Sequence, residues 1–248
     1  VRPPAEADII APQFPGRAPW VNVATLRMDQ QAGRPTLVEF WDFCRVNSLR
    51  TLPYMQAWHE RYADDGLRVI GVHSPGFEPS KDPDAVRAAV QRLGIAYPVL
   101  IDSELQAWTA YGIEGWPSRY LWDQGLRLFD FHWGEGAYAD TERAIQQLLG
   151  IERELVAPVR PEDAPDAMLA VQTEDQPGAY CGPYAAGGVW AVLEGAGTIV
   201  VNGERRAVEH TGCHPLIEHA RHTEGVLALE VGDGVTCHAV CFTPGIAD

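Results

Sequence analysis

Cys44 has the most reactive setting in this chain. It follows the largely apolar run Leu37 to Phe43, is followed at once by Arg45, and precedes a stretch with helical spacing. A neighbouring cation and a helix N-terminus both favour the thiolate, the form that attacks. A single thiol so placed suits a sulfenic acid cycle, a mixed disulfide with a small thiol, or attack on an electrophile. The competing reading is a small apolar residue that only packs, as free cysteines commonly do. The other cysteines, Cys181, Cys213, Cys237 and Cys241, fall late in the chain among His210, His214, His219, His222 and His238. That density invites a metal set. However, His219 and His222 lie three apart near what reads as a turn. Cys237 and Cys241, on one face of a strand, would be separated by about 13 Å, too far to share one zinc ion. Core thiols and turn or surface histidines are therefore expected, with no metal and no cofactor. Arg221 and His222 offer a weak alternative as ligands for an oxyanion or a sugar.

The elements that must position Cys44 follow from periodicity. Leu37 to Phe43 reads as a buried strand. Ser48 to Ala63 has helical spacing, with Leu52, Met55, His59 and Tyr62 on one stripe, and Gly66 ends it. A second strand runs from Leu67 to Ser74, so the unit is a strand–helix–strand crossover of right-handed sense. Beyond it come a helix over Asp84 to Leu93, capped by Asp82 or Asp84, a strand over Tyr97 to Asp102, and a short helix over Leu105 to Tyr111. A strand follows Trp116-Pro117, another lies within Gly125 to Gly134, and a helix over Ala139 to Leu149 ends at Gly150. Residues 1 to 35 read as an irregular lead-in with a short strand or hairpin around Trp20 to Met28.

After residue 150 the composition changes. Residues 151–178 are rich in proline and acid and read as a linker. Residues 179–248 show short apolar runs between glycine turns and no helical period, with Asn202-Gly203 as a strong hairpin signal. The expected architecture is an α/β three-layer domain over 1–150 and an all-β antiparallel sandwich, jelly-roll-like, over 179–248.

Composition narrows the function classes. The 248 residues carry 19 basic and 34 acidic side chains, a net charge of -15. Such a field repels phosphate backbones, so nucleic acid is not an expected partner. No apolar run is long enough for a membrane span. The odd cysteine count favours a reducing compartment. Cytoplasm is the expectation, with an extracytoplasmic site if a leader precedes Val1.

The segments Phe40 to Tyr54, Ala57 to Ala63, Gly66 to Pro75 and Trp116 to Leu121 together resemble the redoxin/TlpA branch of the thioredoxin-like superfamily. Within it they are most like the extracytoplasmic part of DipZ-type proteins, which carry a carbohydrate-module-like β-sandwich after the thioredoxin domain. The run Gly187 to Gly203 and the closing Cys241 to Gly245 are similar to that sandwich. The resemblance implies a thioredoxin fold with a cis peptide at Trp116-Pro117. It puts Glu39 where a buried carboxylate assists proton transfer. It also puts Arg45 at the attacking and Ser48 at the resolving position of a dithiol that this sequence lacks. Arginine does not attack a disulfide, and serine needs activation by a base. Trp41, His73, Trp116, Pro117 and Arg119 would then line or flank the cleft. A one-cysteine chemistry at Cys44, tuned by Arg45 and Glu39, is one expectation. A binding protein with a degenerate cleft, taking an extended peptide or a small thiol, is the other. The sandwich resemblance implies an exposed aromatic platform, with Trp190 and Tyr184 as candidates, although the alternation around Trp190 places it inside.

Overall fold

A computed structural model describes residues 1–3 and 8–247. The chain forms two compact units. The first comprises Val1–Phe43 and Asn47–Ala157; the second comprises Pro158–Asp248 and the short Cys44–Val46.

The first unit alternates strands and helices: β1 (Trp20–Val21), β2 (Thr36–Trp41), α1 (Val46–Tyr62), β3 (Arg68–His73), α2 (Pro83–Arg92), β4 (Val99–Ile101), α3 (Gln106–Ala110), β5 (Ser118–Trp122), β6 (Leu128–Trp133) and α4 (Tyr138–Leu149). The six strands form one sheet in the order β1-β4-β3-β2-β5-β6. Strands β2, β3 and β4 run parallel, whereas β5 and β6 return antiparallel as a hairpin. Asp82 caps α2 by accepting the Asp84 amide at 3.0 Å. Gly150 ends α4 at φ +67°, a conformation that costs glycine little. Among the described residues of the lead-in, β1 pairs antiparallel with β4, Ile10 bridges Arg127 and a 3-10 turn spans Asp29–Gln31. Leu26 and Met28 are buried there without extending a hairpin.

Alternation along the strands divides the core. Val38, Phe40, Ile70, Val72, Leu100, Tyr120 and Trp122 share one face with Phe14, Trp20 and Tyr111. Leu37, Glu39, Trp41 and Arg119 point to the opposite face. There α1 and α4 meet through a Tyr54–Tyr138 ring stack at 3.7 Å and a 2.5 Å hydrogen bond from Tyr62 to Glu142.

The second unit is built from antiparallel strands: β7 (Leu169–Ala170), β8 (Gln176–Pro177), β9 (Cys181–Gly195), β10 (Gly197–Val201), β11 (Glu204–Val208), β12 (Gly212–Val231), β13 (Val235–Thr243) and β14 (Gly245–Ile246). Six make a sheet in the order β11-β10-β12-β9-β13-β8, and β14 pairs with β7. Asn202 (φ +50°) and Gly203 (φ +85°) turn β10 into β11, as a two-residue hairpin with positive φ at both positions requires. The long β9–β12 pair breaks register between Pro215 and Ile217 and again between Glu218 and Thr223.

Three expectations for this unit need correction. His219 and His222 lie inside β12, in its irregular stretch, not at a turn. Cys237 and Cys241 do not share a face. A bulge between Cys237 and Ala239 breaks the alternation, so Cys237 packs with Val240 and Phe242, whereas Cys241 falls on the other side. Trp190 is half-buried and sits opposite the Val189 and Ala191 face that builds the core, whereas Tyr184 belongs to that core.

Candidate functional site

The site lies where β2 and β3 end. Strand β2 stops at Trp41 and α1 starts at Val46, so Asp42 to Arg45 must turn the chain. Ser48, in the first turn of α1, accepts the Asp42 amide at 3.2 Å. The Asp42 carboxylate accepts the Gly76 amide at 2.7 Å and the Ser80 hydroxyl at 3.1 Å. It also stands 3.4 Å from Nε2 of His73. The His73 ring is stacked on Phe43 and meets Trp41 edge-on. Asp42 and His73 are both fully buried. His73 is thus packed between aromatic rings beside a carboxylate that ties the loop after β3 to the end of β2.

Across the site the Trp116–Pro117 peptide is cis. The Trp116 indole donates to the Ser74 carbonyl at 2.8 Å and lies 4.2 Å, centroid to centroid, from Trp108. Ser74 in turn donates to Asp102 at 3.0 Å, and Asp102 accepts the amides of Ala107 and Trp108 that open α3. Trp116 is half-buried and Pro117 buried.

Glu39 and Arg119 are partners in the β2–β5 register. Both are buried, on the face covered by α1 and α4. The Arg119 guanidinium donates to the Gly136 carbonyl and lies 5.1 Å from the Tyr138 ring centroid and 5.8 Å from that of Trp58. Arg119 is therefore an internal cation rather than a group on an open cleft wall. Burial pushes the Glu39 carboxyl up to about 8, against the pull of Arg119. Burial likewise raises the Tyr97 hydroxyl, and Glu39 adds to that. Glu39 Oε1, Trp41 Nε1, Tyr97 Oη and two Arg119 nitrogens have no hydrogen-bond partner among the described residues. Buried polar groups are nearly always paired, so this layer marks a departure from ordinary core construction.

Cys44 has 0% exposure and is not in a disulfide; Arg45 is half-buried. Sequence reading found Glu39, Trp41, Cys44, Ser48, His73, Trp116, Pro117 and Arg119, and the fold places Trp41 and His73 side by side and Glu39 opposite Arg119. It missed Asp42, the connector of the loop, and Tyr97, the third member of the buried layer. The acid closing an apolar strand was a usable signal for Asp42; nothing local pointed to Tyr97.

In the second unit the candidate ligands disperse. His219 bonds the Tyr184 hydroxyl at 2.9 Å, His238 pairs with Glu194 at 2.7 Å, and His214 bonds the His210 carbonyl at 2.8 Å. Arg221 donates to the Ala247 carbonyl. Among the described residues no three His, Cys, Asp or Glu side chains converge as a metal would require. Burial raises the Cys237 thiol to about 11 and raises Cys241 further above its ordinary value.

Comparison with known proteins bears on the fold of the first unit. Residues 10–127 match the AhpC/TSA family. Protein DipZ of Mycobacterium tuberculosis is 31% identical over 188 residues, which is 73% of this chain and 27% of that protein. The match is longer than the segment ending at Ala157, so it continues into the second unit. The chain thus spans about a quarter of the length of that relative. Thiol-disulfide oxidoreductase YkuV of Bacillus subtilis is 25% identical over 138 residues, covering 56% of this chain and 93% of that one. A crystal structure of a putative thiol:disulfide interchange protein DsbE from Chlorobium tepidum superposes with a TM-score of 0.52 at 19% identity, over 58% of this chain and 97% of that one. No helix among the described residues is long and apolar enough to cross a membrane. The first unit thus has a thioredoxin-like fold and is similar over residues 10–127 to the AhpC/TSA family, and a region of antiparallel strands follows it.

Proposed function

We propose that the redoxin domain binds rather than exchanges: its cleft engages an extended peptide segment or a small thiol compound without passing a disulfide. The observation that carries this reading is the lack of a thiol couple in the first domain. Cys44 is the only cysteine before Cys181, and exchange needs a second thiol to resolve the mixed disulfide. The positions that the resemblance gives to the attacking and resolving thiols hold Arg45 and Ser48, and the Ser48 oxygen already accepts the Asp42 amide. Arg45, just ahead of the 17-residue helix α1, suits an acceptor-rich ligand such as a peptide backbone or a carboxylate.

A second reading keeps Cys44 as a one-thiol nucleophile toward a small electrophile. Its position just before α1 and beside Arg45 favours the thiolate. This chemistry needs the sulfur to be uncovered first.

Turnover separates the two. Reduction of insulin by dithiothreitol in the presence of the full chain is expected at background rate. The Arg45→Cys/Ser48→Cys variant, which restores a thiol pair on the same scaffold, is expected to rise clearly above it. Wild-type turnover that vanishes in Cys44→Ser would sink the binding reading and establish the second.

A further inference from the structure

The first unit has a second concavity, away from the site above. A pocket of about 270 Å³ lies between the lead-in segment, the end of α3 and the β5–β6 hairpin. Its floor is made by Tyr111, Tyr120 and Trp122, all buried. Its rim carries Ile9, Ile10 and Trp133, which are 45%, 49% and 57% exposed. Three of the nine exposed large apolar side chains among the described residues thus surround one hollow. Scattered exposed apolar residues are ordinary; a cluster around a concavity marks a binding surface.

The lining specifies what fits. Among the described residues it contains no Asp, Glu, Lys or Arg, so an ion entering it would lose its hydration without compensation. The walls are flat: the Tyr120 ring lies within 13° of parallel to Trp122 and within 20° of parallel to Phe131. Planar ligands match such surfaces best. The volume sits at the low end of small-molecule pockets, which run from about 300 Å³ upward. One directional group is present. The Tyr120 hydroxyl accepts the Trp133 indole N–H at 2.8 Å, which leaves its own proton for an acceptor. Burial raises the Tyr120 pKa, so the hydroxyl remains a donor at neutral pH.

We propose that this pocket binds a small, neutral, planar ring compound carrying one hydrogen-bond acceptor, held between the aromatic floor and the Ile9, Ile10 and Trp133 rim, with its acceptor on the Tyr120 hydroxyl. The site is separate from the redoxin cleft and does not depend on the proposal made for that cleft.

The test uses the full chain with two probes of one skeleton: 1-tetralone, which has a carbonyl, and tetralin, which lacks it. Binding is followed by ligand-observed NMR and by the indole N–H resonance of Trp133 in 15N-labelled protein. Tetralone is expected to saturate the site, to shift that resonance, and to bind at least about fivefold more tightly than tetralin, the effect of one ordinary hydrogen bond. Tyr120→Phe should abolish the preference while leaving tetralin binding within about twofold. Ile10→Asp, a change at a half-exposed rim position, should weaken both probes. Equal affinities in the wild type, no tetralone saturation, or a preference that survives Tyr120→Phe would each overturn the proposal. So would an Ile10→Asp variant that dissociates an oligomer with tetralone binding unchanged, since the occupant would then be another copy of the chain.

Discussion

The two units bury polar groups in opposite ways. In the first, the centre of the sheet holds Glu39, Arg119, Asp42 and His73, all away from solvent. In the second, the sheet centre is Val189, Ala191, Leu193, Leu229, Val240 and Phe242, and His210, His214, His219 and His238 bond individually to nearby carbonyls, a tyrosine or Glu194. An apolar core needs no partners beyond close packing. A buried polar group costs free energy unless it is hydrogen-bonded. Where both styles occur in one chain, the costly one marks the first unit, around the ends of β2 and β3.

Four experiments probe this contrast, from the largest expected effect to the smallest. Tryptophan fluorescence reports on the first unit, since only Trp190 lies in the second. Arg119→Met removes the guanidinium bond to the Gly136 carbonyl and the contacts with Trp58 and Tyr138, and should lower the stability of that unit by about 1.5–3 kcal/mol in urea. If Arg119→Met cost no more than an ordinary surface change, the polar layer would carry no weight.

The second experiment is a pH series. The Glu39 carboxyl is raised from 4.5 to about 8 in the folded state. Between those values the folded chain holds a proton that the unfolded chain has released. Its contribution is therefore fully present below about 4.5, falls as pH rises, and levels off above about 8, a loss on the order of a few kcal/mol. Glu39→Gln should flatten that slope in the fluorescence-monitored transition. A slope unchanged in the variant would assign the titration to another group.

Thiol labelling gives the third. Cys181 is exposed, whereas Cys44, Cys213 and Cys241 are buried and Cys237 is half-buried with its pKa raised to about 11. At pH 8 a native-state disulfide reagent should react first with Cys181 and with the buried three only after unfolding. Fast labelling of Cys44 would revive the one-thiol reading. The smallest effect is Gly203→Ala at φ +85°, expected to cost about 1 kcal/mol. A neutral result there would mean that the hairpin turn adapts.

Legibility tracked distance along the chain. The crossover of β2, α1 and β3 was readable because strand and helix periods are local. The expected helix from Ser48 appears as Val46–Tyr62, and the expected strand from Tyr97 as Val99–Ile101. The Asp82 cap and the Asn202-Gly203 turn were readable because each depends on the steric freedom of one or two residues. The candidate site was legible as a set of positions through its resemblance, but not as a set of contacts. Arg119 was expected beside the cleft, yet β5 alternation turns it inward, against Trp58 and Tyr138. The face shared by Cys237 and Cys241 was read from an even spacing, and one extra residue at His238 undid it.

Sequence alone determined the order and type of the main elements of the redoxin domain and the antiparallel character of the region that follows. Those properties arise from backbone sterics and apolar periodicity, which act over a few residues. Tertiary structure decided that Glu39 faces Arg119 across 80 residues of chain, that Asp42 reaches Gly76 and Ser80, and that Cys44 is covered. Register, bulges and burial are settled by packing between distant segments, and no local pattern encodes them.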